Sequence, residues 1–597
     1  MQNLKKISFL LSYKERVRAI LLLVMTLIMA LIDMLGVASI LPFIAVLTNP
    51  QIIETNIILN TVYQTIKNFG IETEQQFLIV LGIFVFLLLI ISISFKALTI
   101  YIQIRFSKIC EYNIALRLIK GYLYQPYSWF LNHNSAILSK TILSEVSNVV
   151  GKGLTPMMDL ITNSFITLTL FILLLVAEPK LTFIAIITIS LFYGLIYWFN
   201  LNLLNKTGKE VFKGNEGRYQ ISTEAFGAFK EIKVGGLEEV YINQFSKPSK
   251  SIAQNSALWA ILNQIPRFTL EVVVFGGMLL IILFFMTITG DIEKVLPIVA
   301  LYAFAGYRLM PALQKIYSSL ASLRYVGPAI DSLHDDIKNL KPKLQIEATG
   351  LLELNKNLCL KNIHYNYPNS SKTALKNINL NIPANKTIGL VGATGSGKTT
   401  TVDIILGLLE AQQGTLEVDG KVINRDNKRA WQRCIGYVPQ QIFLSDNTVS
   451  ANIAFGVNIN DVKQELVEHA AKIANLHEFV TNELPLKYQT TIGENGIRLS
   501  GGQRQRIGIA RALYHKPKVL VLDEATSALD NLTEKAVMSA LHNSENNITK
   551  VLVAHRLSTV RDCDIIYLFE KGEIIKQGTF EELIKISDDF RESAKNH

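Results

Sequence analysis

The chain has 597 residues, room for roughly four domains' worth of mass at about 150 residues each, so a small single-domain protein is excluded. Hydrophobic residues make up 49% and charged residues only 18%, with a positive mean hydropathy of +0.29, which puts part of the chain in lipid. The net charge of +10 is mild and dispersed, which argues against a nucleic-acid partner and fits a membrane-surface excess of cations.

Six long apolar stretches occupy the first 325 residues. Ala19 to Leu47 contains only Asp33, Phe77 to Ile104 only Lys96, and Leu160 to Ala177 and Leu181 to Leu204 no charge at all. Phe268 to Gly290 holds only Glu271, and Val295 to Leu320 only Arg308 and Lys315. A helix crosses about 30 Å of hydrocarbon with about 20 apolar residues, so all six are predicted spans: 19–47, 77–107, 157–177, 181–204, 266–290 and 295–323. The first is too long for a signal-peptide core.

Lys5, Lys6, Lys14, Arg16 and Arg18 precede the first span, and the loops near 108–159 and 205–267 are also rich in Lys and Arg. The excess of cations on cytoplasmic loops therefore places the N-terminus and both long loops in the cytoplasm. The outer loop from Thr48 to Gln76 repeats Leu59, Val62, Tyr63, Ile66 and Phe69 at helical spacing. That helix either caps the bundle or lies along the outer leaflet against a lipid tail.

Residues 326–350 read as a connecting helix and linker. From 351 to 597 short β-branched runs alternate with helical patterns, the texture of a soluble α/β domain. Cys110, Cys359, Cys434 and Cys563 are far apart and show no metal-ligand or disulfide spacing.

Gly392-Ala-Thr-Gly-Ser-Gly-Lys-Thr399 follows the strand-like run Thr387 to Val391 and precedes a helical pattern, the setting of a phosphate-binding loop. Its backbone, with Thr394, Gly395, Ser396 and Gly397, is suited to close around phosphate oxygens. Lys398 reaches the outer phosphates and the Thr399 hydroxyl is suited to ligate magnesium, with Thr400 opening the helix. A second apolar strand ends in Asp523 and Glu524. Asp523 is suited to hold magnesium and Glu524 to act as general base on the attacking water.

Leu499-Ser-Gly-Gly-Gln-Arg-Gln-Arg506 resembles the signature motif of ATP-binding cassette (ABC) proteins. The resemblance extends in order to Tyr367 as the adenine-stacking aromatic, with Tyr365 as a rival, and to Gln440 in Val-Pro-Gln as the Q-loop residue, a ligand of magnesium and part of the catalytic set. It also covers Ser527-Ala-Leu-Asp530 as the D-loop and His555 as the switch histidine. It implies that Ser500, Gly501, Gly502 and Gln503 of one subunit contact ATP held by Lys398 of the other. A membrane all-α domain of six helices followed by a P-loop α/β domain is then the half-size exporter arrangement: a homodimer in the bacterial cytoplasmic membrane using ATP and Mg2+. Coupling helices are expected near Tyr127 to Ser135 and Glu224 to Gly236.

Counting at about 1.5 Å per residue from the outer end of each span puts Lys96 about 29 Å, Arg267 about 31 Å, Arg308 about 20 Å and Lys315 about 30 Å deep. Intramembrane cations are functional candidates, although long basic side chains also snorkel to the interface and Glu271 is placed to neutralise Arg267 one turn on. No partner for Asp33 follows from the sequence. The runs Pro266-Arg-Phe-Thr-Leu-Glu271, Tyr307-Arg-Leu-Met-Pro311 and Tyr127-Ser-Trp-Phe130, with Ser139 and Glu145, resemble bacterial flippases for lipid-linked oligosaccharides. That resemblance implies an anionic polyprenyl-pyrophosphate glycan as cargo, drawn in by Lys96, Arg267, Arg308 and Lys315. An exporter of another lipid, a peptide or a drug-like molecule shares the cassette and the spans and is the alternative.

Overall fold

A computed structural model describes residues 2–68, 73–288, 292–340, 350–368, 372–525, 529–543, 548–554 and 556–595. The chain forms two compact units, one of residues 1–125 and 132–343, the other of residues 126–131 and 344–597.

The first unit is helical. Among the described residues five helices are long and apolar enough to cross a membrane: Tyr13–Thr48, Glu74–Leu123, Ser135–Ala177, Pro179–Gly227 and Glu238–Leu280. A further long helix, Ile292–Tyr325, carries Arg308 and Lys315. The second and fourth of these run to 50 and 49 residues, and the fifth, continuing to Ile288, to 51, about 75 Å at 1.5 Å per residue, far beyond the hydrocarbon. Their apolar ends are the predicted spans and their polar ends are the long basic loops, folded as continuations of the same helices.

The first helix departs from the predicted single segment. It starts at Tyr13 behind a capping box in which Ser12 and Glu15 bond reciprocally, and it is interrupted at Ser39 before resuming as Ile40–Thr48. The outer amphipathic segment forms the helix Ile57–Lys67, capped by Asn56. Its apolar face is folded against the bundle: Leu59 is buried with Val46, Ile53 and Phe77, and Tyr63 and Ile66 pack on them. Phe69 lies outside the described residues.

The third long helix contains two π-helical turns, Thr141–Glu145 and Val150–Leu154. Short helices occupy Tyr127–Phe130 and Phe229–Gly235 within the two expected coupling segments. The connecting segment folds as the helix Gly327–Asn339, and residues 341–349 of the linker lie outside the described ones.

The second unit is built on a six-stranded sheet. Its order is Glu573–Gly578, Ile565–Glu570, Thr387–Gly392, Thr549–Val553, Val519–Asp523, Ile435–Val438. Only the first pair is antiparallel. The parallel strands are nearly continuous runs of buried Val, Ile and Leu because helices cover both faces. A four-stranded antiparallel sheet, ordered Thr373–Pro383, Asn357–Asn366, Gln413–Val418, Lys421–Val422, lies beside it. In parallel sheets of this kind ligands sit beyond the carboxyl ends of the strands. Those ends here are Gly392, Asp523 and Val438.

Candidate nucleotide site

Strand Thr387–Gly392 ends in the glycine-rich loop, and helix Lys398–Ile405 begins immediately after it. Two glycines have no substitute on steric grounds. At Gly392 (φ 154°) a Cβ would run into the Phe569 carbonyl, and at Gly397 (φ 106°) one would lie 2.8 Å from Leu375 and 3.0 Å from the Ala374 carbonyl. The loop is thus pressed against its own domain on one side, with Ala393, Thr394 and Gly395 exposed on the other.

Three observations show a cradle that fits triphosphate oxygens. Lys398 Nζ donates to the carbonyls of Gly392 at 2.7 Å and Ala393 at 3.0 Å, so its ammonium is held across the mouth of the loop. Ser396 is buried and its Oγ has no hydrogen-bond partner, an unmet polar group of the kind that ligands or water satisfy. Burial pushes the Lys398 ammonium below the ordinary lysine range, while the charges of Glu524 and Asp523 oppose that; an arriving anion would restore its full affinity for the proton. Thr399 is exposed beside it.

Strand Val519–Asp523 lies one strand away from the loop strand, with Thr549–Val553 between them, and the registers align Leu390 with Val553 and Val553 with Asp523. Asp523 is thereby buried at the strand end. Glu524 follows with φ 51°, a left-handed conformation that a non-glycine residue adopts at a cost, held by its N–H donating to the Val553 carbonyl at 3.1 Å. Gln440, just past strand Ile435–Val438, donates from Nε2 to Glu524 Oε2 at 2.7 Å. Asp523 and Thr399 are the residues that would hold Mg2+, which supplies charge neutralisation on phosphate oxygens.

Tyr365 is buried in the domain core, whereas Tyr367 is half-buried and its hydroxyl shares a 3.1 Å hydrogen bond with Thr400 Oγ1. The two rings meet edge to face at 5.2 Å. Of the rivals, Tyr367 is the one with an open ring beside the phosphate-binding helix.

The signature motif forms the start of helix Gly501–Tyr514. Ser500 caps it, accepting from Gln503 N–H at 3.2 Å while Gln503 Oε1 accepts from Ser500 N–H at 2.8 Å. This helix is 14 residues long, and its amino end, with Ser500 exposed and Gly501 and Gly502 half-buried, carries first-turn N–H groups and positive potential. Asp530 is exposed, and hydrogen bonds from Thr533 hold its carboxyl below the usual range. His555, Ser527 and Ala528 lie outside the described residues.

Two residues in this unit carry structural duties that spacing alone did not single out. Arg511 donates to the carbonyls of Asn452 and Phe443, each at 2.8 Å, and stacks on Phe455 at 4.6 Å, tying the signature helix to the segment after Gln440. Asp403, buried on the phosphate-binding helix, is pushed up to about 6 by burial and by Asp523.

In the first unit three of the four candidate cargo cations have carboxylate partners. Arg308 Nη1 lies 3.2 Å from Asp33 Oδ1, which also accepts from Ser92 Oγ at 3.0 Å; the Asp33 side chain is 3% exposed. Asp33 therefore has partners, which the sequence did not supply. Lys315 Nζ lies 3.5 Å from Asp159, itself bonded by Gln103 at 2.7 Å. Arg267 pairs with Glu271 at 3.0 Å, the one-turn neutralisation expected. Lys96 has no ion pair among the described residues.

Residues 375–527 match the ABC transporter family and residues 19–312 the ABC transporter transmembrane region. The ATP-dependent lipid A-core flippase of Saccharophagus degradans is 31% identical over 479 residues, covering 79% of this chain and 79% of that protein. This chain belongs to the ABC transporter family. The alpha-hemolysin translocation ATP-binding protein HlyB of Proteus vulgaris is 30% identical over 500 residues, 83% of this chain and 69% of that one. A bacterial Atm1-family ABC exporter solved with ATP bound shares the fold, with a TM-score of 0.77 and 19% identity over 98% of each chain. The chain is an exporter-type half-transporter, a multi-pass membrane protein whose soluble domain hydrolyses ATP, with Mg2+, to drive translocation.

Proposed function

We propose that two copies of this chain form an ATP-driven exporter of the bacterial cytoplasmic membrane whose cargo is an amphipathic, membrane-resident molecule, a lipid, peptide or drug-like compound. The observation that carries this reading is an apolar cavity of about 900 Å³ among the third to sixth long helices, lined by residues such as Phe171, Leu181, Val272, Met278, Tyr302 and Leu313. Its walls suit hydrocarbon. The pairing of Arg308, Lys315 and Arg267 with carboxylates leaves the inner half far less cationic than its sequence suggests. The similarity to a protein named as a lipid A-core flippase supports a lipid; the similarity to a haemolysin translocation protein supports a peptide.

A narrower reading, a polyprenyl-pyrophosphate-linked oligosaccharide turned from the inner to the outer leaflet, is favoured by Lys96, which has no ion pair among the described residues, and by the short runs around Arg267 and Arg308. Stimulation of ATP turnover in proteoliposomes by each cargo class separates the two. Stimulation by a neutral amphiphile and not by the pyrophosphate glycan supports the broader reading; the reverse supports the narrower one. In either case Tyr367, Lys398, Thr399, Asp523, Glu524, Gln440 and His555 of one copy are proposed to act with Ser500 and Gly502 of the other.

A further inference from the structure

Glu534 is 7% exposed, and among the described residues its carboxylate makes no ion pair. Taking a carboxylate out of water without a cation is costly, so its surroundings must hold it. It lies in the first turn of helix Asn531–Asn543, where the positive end of the helix dipole favours an anion. Its Oε1 accepts from Thr559 Oγ1 at 2.8 Å.

Both ends of this hydrogen bond are anchored to the ATP-binding machinery. On one side Asp530 runs directly into the helix: its carbonyl accepts from Glu534 N–H at 2.9 Å and its carboxylate from Thr533 N–H at 3.1 Å. The Asp530 charge also acts on Arg506, in the signature helix Gly501–Tyr514, whose Nη1 donates to the Asn475 carbonyl at 2.7 Å. On the other side Thr559 belongs to the short 3-10 turn Leu557–Val560. Val560 is fully buried and packs against Gly389 of the strand that leads to the phosphate loop. Earlier in the chain, Ala554 N–H donates to the Leu390 carbonyl at 3.2 Å and the Val553 carbonyl accepts from Glu524 N–H at 3.1 Å. In sequence, position 555 falls between two anchors, the strand end beside Glu524 and the Glu534 carboxylate.

We infer that Glu534 and Thr559 are positioning residues for ATP hydrolysis, their hydrogen bond tying the helix behind Asp530 to the segment that follows position 555. A short bond between a hydroxyl and a buried carboxylate is directional, so a shift of that helix carries the segment with it. The inference rests on the proposed role of His555 as the switch histidine and on the proposed sharing of ATP sites between copies. Under that reading, Arg506, Asp530, Glu534 and Thr559 run from the signature helix, which serves the nucleotide held by the second copy, to the chain's own site.

The test is ATP turnover and ATP binding by the full-length protein in proteoliposomes, for single variants at Thr559, Glu534 and His555. Thr559→Val keeps the shape and removes the donor. It should lower turnover at saturating ATP about tenfold while binding of a fluorescent ATP analogue is unchanged. Thr559→Ser and Glu534→Gln, which can still make the bond, should keep native turnover. Glu534→Ala combined with Thr559→Val should be no slower than Glu534→Ala alone, since both remove one link. Loss of ATP binding in step with turnover would overturn the positioning role and leave a core contact, and so would losses that multiply in the double variant. Native turnover in Thr559→Val beside an inactive His555→Ala would overturn the link alone. Native turnover in His555→Ala would overturn the switch reading and the link with it. Should Glu534→Ala fail to fold, equal turnover in Thr559→Val and Thr559→Ser would overturn the proposal.

Discussion

The Gln440 side-chain amide donates a 2.7 Å hydrogen bond to Glu524 Oε2, linking the segment just past the edge strand Ile435–Val438 to the carboxylate that follows the neighbouring strand Val519–Asp523. Glu524 is held in a strained backbone conformation at φ 51°, so its side chain has one well-defined direction and Gln440 fixes it there. Gln440→Ala should lower ATP turnover by roughly tenfold, about the 1.4 kcal/mol of one hydrogen bond to a charged group, with nucleotide affinity little changed. Steady-state kinetics alongside binding of a fluorescent ATP analogue checks this; equal losses in both would mean that Gln440 serves binding.

Arg308 and Asp33 are 275 residues apart and meet at 3.2 Å in a nearly dry site. Removing one partner of such a pair leaves an uncompensated buried charge and costs about 3–5 kcal/mol. Arg308→Ala alone should therefore destabilise the membrane domain whatever the cargo is. The informative variant is Arg308→Gln with Asp33→Asn. Recovery of both thermal stability and transport in the double variant assigns Arg308 a structural role. Recovery of stability with transport still lost assigns it to cargo.

Asp403 sets a pH dependence. Its carboxyl is raised from 3.8 to about 6, chiefly by burial and then by Asp523. A raised acid is neutral in the folded state where it is ionised in the unfolded one, so its stabilising contribution is complete below 3.8 and lost as the pH climbs through about 6. The difference is worth roughly 3 kcal/mol. Asp403→Asn should raise the melting temperature more at about pH 8 than at about pH 4. Trp431 reports on it directly, since this fully buried indole donates to the Ile405 carbonyl at the end of the same helix. An equal effect at both pH values would contradict the assignment.

The phosphate-loop cradle was legible in the sequence because close backbone approach needs glycine at 392 and 397, and the pattern of strand, loop and helix put Lys398 at a helix start and Asp523 and Glu524 at the end of a strand. Five helices long and apolar enough to cross a membrane among the described residues coincide with apolar stretches that charge counting had picked out. What escaped was long-range or conformational. The Asp33 partner depends on packing between helices far apart in sequence. The two π-turns around Lys140 and Lys152 leave the 3.6-residue apolar pattern nearly intact, and the folding of Leu59 and Ile66 onto Phe77 rather than onto lipid is decided by a surface that spacing does not reveal.

The proposed sharing of each ATP site between two copies makes a mixing prediction. Lys398→Ala disables one phosphate loop and Ser500→Arg one signature helix, so each homodimer should be inactive. Joining one Lys398→Ala subunit to one Ser500→Arg subunit leaves a single site built from two intact surfaces. Such mixed dimers should trap one nucleotide per dimer with vanadate, whereas either parent should trap none. No trapping in the mixed dimer would argue that each chain completes its own site.

The most direct test is ATP turnover by the reconstituted native protein against Glu524→Gln, which keeps the side chain's shape and its hydrogen-bonding reach to Gln440 but removes the base. Turnover reduced at least about a hundredfold, with ATP still bound, is the result predicted for a general base in an ATP-driven exporter. Near-normal turnover in Glu524→Gln would contradict it.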